Sequence, residues 1–325
     1  MTDSSTSRDV PRSPDADAGV TERRGITTVG MVGLGIMGSA MGGNLLAAGF
    51  EVVGYDPVDD KVRAFADRGG WSAASEADVA ARSDVVVISV ASVAALRTVV
   101  RAEGLPAGAH DGLVVAETGT MPLGLKEEAR DALAQVGVPL LDCTLSGTGA
   151  QAARRDLVVY GSGDREAFDR ARPVFDAIGR SVHYLGEFGL GSKMKYIANL
   201  LVSIHNLSTA EAFVLGRKAG LDLQQMFEVI SDGVGSSRIF DVRGPMMVEG
   251  RYSPPSATVR MFMKDLSVIS DFAAQVGAPT PLFSTAAAYY NAAMGQGLAE
   301  EDPAVLCAVL EGLAGAQRED GGATD

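Results

Sequence analysis

From residue 25 onward, short apolar and β-branched runs alternate with amphipathic stretches. The runs predict strands at residues 27–32, 51–55, 84–90, 112–117, 139–142, 157–161 and 181–185. Between them, three-to-four periodicity predicts helices at residues 36–48, 61–67, 93–101, 123–136 and 165–178. Strands separated by helices of this size imply crossover connections and a mainly parallel sheet. Right-handed crossovers then give an α/β, Rossmann-type doubly wound domain.

At residues 186–191, rich in glycine, the pattern changes. A long helical pattern runs on to residue 219, and strand-like runs then nearly vanish. Residues 221–231, 263–276, 281–294 and 303–313 each read as helices. The expected organisation is a Rossmann-type domain over 25–187, an interdomain helix over 188–219 and an all-α C-terminal domain over 220–316. Residues 1–24, rich in Ser, Asp, Arg and Pro, and residues 317–325 read as disordered tails.

Composition narrows the function classes. The net charge of -13 argues against nucleic-acid backbone binding and against adhesion to an anionic membrane. The most apolar run, near residues 85–90, is strand length and too short to cross a bilayer. The N-terminal stretch lacks the apolar core of a secretory signal. Two distant cysteines, Cys143 and Cys307, suit a reduced chain without a disulfide framework, so a cytoplasmic protein is expected. His110, His183 and His205 are dispersed, and no metal site follows from them.

The first strand runs into Gly33-Leu34-Gly35-Ile36-Met37-Gly38 and then a helix. In such a GxGxxG turn the first glycine allows the tight bend and the second lets the backbone approach a pyrophosphate. The third lets helix and strand pack closely. The second strand ends at Asp56, where a carboxylate accepts hydrogen bonds from an adenosine 2′-hydroxyl and repels a 2′-phosphate. That reading favours NAD over NADP; the alternative is a turn aspartate before Pro57.

Two further constellations carry candidate chemistry. On the long helix Lys195 and Asn199 stand four apart on one face, a stripe that Ser203 and Asn206 continue. Polar groups on a buried helix need partners, and a ligand in an interdomain cleft is one. The pattern alone leaves open a lysine that simply faces solvent. After the strand at 139–142, Ser146-Gly147-Thr148 offers a hydroxyl and backbone N–H groups to an anionic oxygen, or forms a plain polar loop. Cys143 beside it has no base at a suitable spacing and reads as a packing residue.

Together, four segments in this order resemble the β-hydroxyacid dehydrogenases, the group that includes 3-hydroxyisobutyrate dehydrogenase, tartronate semialdehyde reductase and 6-phosphogluconate dehydrogenase. They are residues 32–38 with Met41, the Ser146-Gly147 loop, residues 191–199 with Lys-x-x-x-Asn, and Lys264-Asp265-Leu266. The resemblance covers residues 27–313 and implies a dehydrogenase, dimeric or tetrameric through its helical domain. It implies Lys195 as general acid/base, Asn199 orienting the substrate, Ser146 and Gly147 holding the substrate carboxylate, and Lys264 approaching the cofactor. Ala91, Ser92 and Thr118 fall where cofactor contacts belong in that family.

The chain departs from the family pattern in three places. Thr148 replaces a glycine in the substrate wall, Val90-Ala91-Ser92 replaces a leucine-proline, and residues 116–122 (AETGTMP) replace Asp-x-Ser-Thr-x-x-Pro. Thr148, Arg154 and Arg155 hint at a more polar or more anionic substrate, or are solvated loop residues. The expected reaction interconverts a small anionic 3-hydroxy acid and its semialdehyde or keto acid. Rival readings are an imine reductase on the same fold, which Lys195 counts against, and a dinucleotide-sensing protein without turnover.

Overall fold

The computed structural model describes residues 25–316; both expected tails lie outside the described residues. Eight strands form one sheet: β1 (Thr28–Val32), β2 (Glu51–Tyr55), β3 (Trp71–Ser72), β4 (Val85–Ile88), β5 (Val114–Glu117), β6 (Leu140–Ser146), β7 (Leu157–Ser162) and β8 (Gly179–Tyr184). Their spatial order is β3-β2-β1-β4-β5-β6-β7-β8, parallel throughout except for the antiparallel pair β6–β7. The order reverses between β1 and β4, so a crevice opens beyond their carboxyl ends, where doubly wound sheets bind ligands.

Seven helices accompany the sheet: α1 (Ile36–Ala47), α2 (Asp59–Ala66), α3 (Glu76–Ala81), α4 (Val93–Val100), α5 (Leu123–Ala134), α6 (Gly149–Ala153) and α7 (Arg165–Ile178). Both faces of the sheet are covered, one core gathering around Met31, Leu45 and Phe168 and the other around Val86, Leu96 and Leu133. The central strands are therefore apolar on both sides, which is why β4 reads as an unbroken Val-Val-Val-Ile run.

Then α8 (Leu190–Lys218) leads into α9 (Leu223–Ser231), α10 (Arg238–Glu249), α11 (Val259–Gln275), α12 (Pro281–Gly295) and α13 (Leu306–Ala314). A third core, with Phe213, Phe262 and Tyr290, holds these helices together. Packing against β6 and β7 near its start and against α10–α13 farther on, α8 joins the two halves.

Four elements differ from the sequence reading. Strand β3 has two exposed residues and no periodicity to detect. Only six residues long, α3 is capped by Ser75. Helix α6 carries a capping box, with Thr148 Oγ1 accepting from the Gln151 N–H, a signal legible in Thr-x-x-Gln. Gly244 and Pro245, residues that ordinarily break helices, sit inside α10. Of the boundaries that shift, two move by four residues. Strand β6 runs on to Ser146, and α11 starts at Val259, four residues before the expected 263, with Thr258 as its cap.

Candidate active site

The turn between β1 and α1 divides its glycines by task. Gly33 has φ +93°, and a Cβ there would lie 2.3 Å from the Ser89 carbonyl oxygen. A Cβ on Gly38 would lie 1.9 Å from the Gly33 carbonyl oxygen, so these two glycines are needed for packing. A Cβ on Gly35 would meet no atom within 4 Å. Gly35 is also the N-cap of α1 and offers no side-chain acceptor to the first-turn N–H groups. Free helix N–H groups beside open space fit an anionic phosphate, and thus a dinucleotide.

At the end of β2, Asp56 is 6% exposed. Its Oδ2 accepts from the Leu34 N–H at 2.9 Å and its Oδ1 from the Val58 N–H at 3.0 Å. The Lys61 ammonium lies 3.3 Å from both oxygens. Asp56 is thus a turn residue and also holds the glycine loop to β2.

A cleft of about 540 Å³ lies across these strand ends. Gly35, Ile36 and Met37 line one side, with Ala91 and Thr118 beyond β4 and β5. Gly147 and Thr148 contribute a second wall, and Lys195 and Lys264 a third. Gly33, Leu34, Gly38, Asp56, Ser92, Ser146 and Asn199 stand outside this lining. Of these, Ser92 caps α4. Thr118 Oγ1 donates to the Ile88 carbonyl at 2.7 Å, tying β5 to β4 at the cleft floor. Arg154 and Arg155 are exposed and away from the cleft, and Arg155 donates to the Asp176 carbonyl. They are surface residues, which removes them from the substrate wall.

The polar stripe of α8 is buried along its whole length, and most of it is satisfied inside the protein. Asn206 Nδ2 donates to the Tyr290 hydroxyl and the Pro303 carbonyl, and Ser203 Oγ donates to the Asn199 carbonyl. Asn199 Nδ2 donates to Asp265 Oδ2 at 2.7 Å. Lys195, 9% exposed, faces the cleft and has no hydrogen-bond or ion-pair partner among the described residues. Burial lowers its pKa; Asp265 opposes this and Lys264 adds to it. Lys264 donates to the Thr120 carbonyl and stands 3.3 Å from Asp265 Oδ1. Asp265 thus ties both α8 and Lys264 together beside Lys195.

Under the cleft lies a fully buried charge cluster. Lys126 Nζ is 2.6 Å from Glu117 Oε2 and 2.7 Å from Asp142 Oδ1. Burial disfavours the Lys126 ammonium, but Asp142 and Glu117 outweigh it and hold the pKa above the ordinary lysine value. Burial pushes the Glu117 carboxyl up. Asp142 also accepts from the Ser192 N–H and hydroxyl at 2.7 and 2.8 Å, fixing the first turn of α8, three residues before Lys195.

Residues 28–186 match the family model described as the NAD binding domain of 6-phosphogluconate dehydrogenase. Residues 189–310 match that described as the NAD-binding region of NADP-dependent 3-hydroxyisobutyrate dehydrogenase. An L-threonate dehydrogenase of Cupriavidus necator is 35% identical over 287 residues, covering 88% of this chain and 96% of the relative. The chain belongs to the β-hydroxyacid dehydrogenase family. It is therefore an oxidoreductase that binds NAD(P) and acts on a CH–OH group.

This dehydrogenase resembles a solved 3-hydroxyisobutyrate dehydrogenase from Salmonella typhimurium, at 32% identity and TM-score 0.79 over 87% of this chain and 99% of that one. An imine reductase from Bacillus cereus is more distant, at 19% identity and TM-score 0.57 over 88% of this chain and 99% of that one, a likeness of fold alone.

Within the dehydrogenase, the sequence reading assigned no role to Asp265 or to the Glu117–Lys126–Asp142 cluster. Their partners lie 66, 9 and 16 positions away along the chain, and no local motif records such a pairing. Ser256, Ala257 and Arg260 also line the cleft. Arg260 and Lys264 stand four apart on one helix, a spacing visible once α11 starts at Val259.

Proposed function

We propose that this protein interconverts a small anionic 3-hydroxy acid and its semialdehyde or keto acid, with Lys195 as general acid/base. One observation carries the reading: a nearly buried lysine faces the cleft with no hydrogen-bond or ion-pair partner among the described residues. Burial disfavours the ammonium form and Lys264 adds to this, while Asp265 offsets it only in part, so the balance moves toward the neutral amine that a general base needs. In oxidation Lys195 takes the hydroxyl proton as the carbinol carbon gives up hydride; in reduction it returns that proton. Bound along Gly33–Gly38, a nicotinamide dinucleotide supplies the hydride acceptor or donor.

Next to Ser146, Gly147 through its N–H and Thr148 through its hydroxyl offer neutral donors to the substrate carboxylate in the cleft that Lys195 also lines. Asn199 acts through Asp265, whose carboxylate it orients beside the two lysines. Asp56 favours NAD over NADP, because a 2′-phosphate would meet its carboxylate; Lys61, paired with Asp56, tempers that repulsion. Exposed Leu215, Leu221, Val229, Leu282 and Leu313 on the helical half support assembly as a homodimer or homotetramer. Both cysteines are buried and outside any disulfide, in keeping with a cytoplasmic protein.

The test is absorbance of the reduced nicotinamide while short 3-hydroxy acids and semialdehydes are screened with wild type and Lys195→Met. Turnover by wild type and its loss in the variant, with NADH binding retained, is the expected result. Ordinary turnover by the variant would remove Lys195 from the chemistry.

A further inference from the structure

The third wall of the cleft carries more positive charge than proton transfer requires. Lys195, Lys264 and Arg260 all line it, and Asp265 is the one carboxylate among the described lining residues. Asp265 is engaged by Lys264 and Asn199, which leaves Arg260 with no counter-charge inside the cleft. Its partner is Glu300 outside the lining, with Arg260 Nε donating to Glu300 Oε1 at 2.6 Å. Both side chains of that pair are more than half exposed, and exposed pairs of this kind are weak and screened by salt.

The backbone that presents Arg260 is held firmly. The Arg260 N–H donates to the Ala299 carbonyl and the Val259 N–H to the Glu301 carbonyl, both at 2.9 Å. The preceding loop is pinned by buried Asp302, whose Oδ2 accepts from the Ser256 hydroxyl at 2.8 Å while its Oδ1 accepts from Arg243 at 2.9 Å. A guanidinium on a fixed helix start presents a planar fork that matches a carboxylate. Gly147 and Thr148, which line the same cleft, are uncharged and suit one carboxylate end of a substrate.

We propose that Arg260 is a specificity-determining residue that reads a second carboxylate, so that the preferred substrates are 3-hydroxy acids bearing an additional anionic group. The inference rests on the dehydrogenase reading above for the reacting end of the substrate. Substrate carboxylate takes over the guanidinium face now shared with Glu300, and no bond is made or broken at Arg260.

The test compares 3-hydroxypropanoate with 2-(hydroxymethyl)glutarate, the same reacting unit with a second carboxylate, using the full chain and NAD. Wild type should show a kcat/KM ratio favouring the dicarboxylate. Arg260→Gln should lower that ratio about tenfold, the scale of losing one charge-assisted partner. Glu300→Gln, which frees the guanidinium, should raise it. An unchanged ratio in Arg260→Gln, or the two variants moving it in the same direction, would overturn the inference. Calorimetry on the NADH complex with glutarate and butanoate, which have no hydroxyl to oxidise, reads Arg260 without turnover. Glutarate should bind about tenfold more weakly to Arg260→Gln than to wild type, and equal binding would overturn the inference. That binding difference without turnover of either hydroxy acid would count against the proposed 3-hydroxy-acid reaction alone.

Discussion

Asp142 and Ser192 join the sheet to the long helix: the Ser192 N–H donates to Asp142 Oδ2 at 2.7 Å, and its hydroxyl donates to Oδ1 at 2.8 Å. The carboxylate lies at the N-terminus of α8, where negative charge is stabilised by the helix dipole. Lys126 neutralises it from the other side. The position of Lys195, one turn further along, therefore depends on a fully buried cluster outside the cleft lining.

Lys126→Met removes the cation between two buried carboxylates and leaves both unpaired. Breaking such a pair costs about 3–5 kcal/mol. The midpoint of urea unfolding should fall accordingly, and an unchanged midpoint would show that the cluster contributes nothing to stability.

The pH dependence follows from the direction of the Lys195 shift. Burial disfavours its ammonium form, so its pKa lies below the ordinary value of about 10.5. Oxidation needs the neutral amine and should rise with pH through that lowered pKa to a plateau. Reduction needs the ammonium and should fall over the same window. Lys264→Met removes a neighbouring positive charge, so both limbs should move to higher pH; profiles of kcat/KM in the two directions check this. Lys195→Met should lower kcat by about 10²–10⁴-fold, the usual range for a general acid/base.

The glycines separate folding from binding. Gly38→Ala drives a methyl into the Gly33 carbonyl and should lower the melting temperature markedly. Gly35→Ala meets nothing in the protein, so it should melt close to wild type yet bind NADH more weakly. Fluorescence titration together with thermal unfolding distinguishes the two variants, and equal behaviour would contradict the division of roles.

Asp56→Ser removes the carboxylate that a 2′-phosphate would meet in the proposed binding mode, while Lys61 stays. The ratio of kcat/KM for NADP over NAD should rise by about tenfold or more, one charge-pair interaction. NAD affinity should also drop, because the Leu34 N–H loses its acceptor. An unaltered ratio would mean that Asp56 does no more than hold the loop.

The glycine turn, Asp56 at the end of β2 and the spacing of Lys195 and Asn199 were all legible, because each depends on residues close together in the chain. Element type was mostly legible for the same reason, while β3, α3 and α6 were too short to leave a periodic pattern and Gly244 and Pro245 masked α10. Asn199 was the instructive case. Its place on the Lys195 face was readable, but its partner Asp265 lies 66 positions away, so its orientation was not.

By itself the sequence determined the alternation of strands and helices, the dinucleotide turn and the stripe on α8, since local sterics and periodicity dictate these. Only the tertiary structure decided that Ser203 and Asn206 are spent inside the core and that Lys195 alone of the stripe faces the cleft. The same holds for Arg260, which the packing of α11 brings to the cleft that Gly147 and Thr148 also line. Such pairings are set by how distant segments pack, and a hydrogen bond across dozens of residues has no local signature.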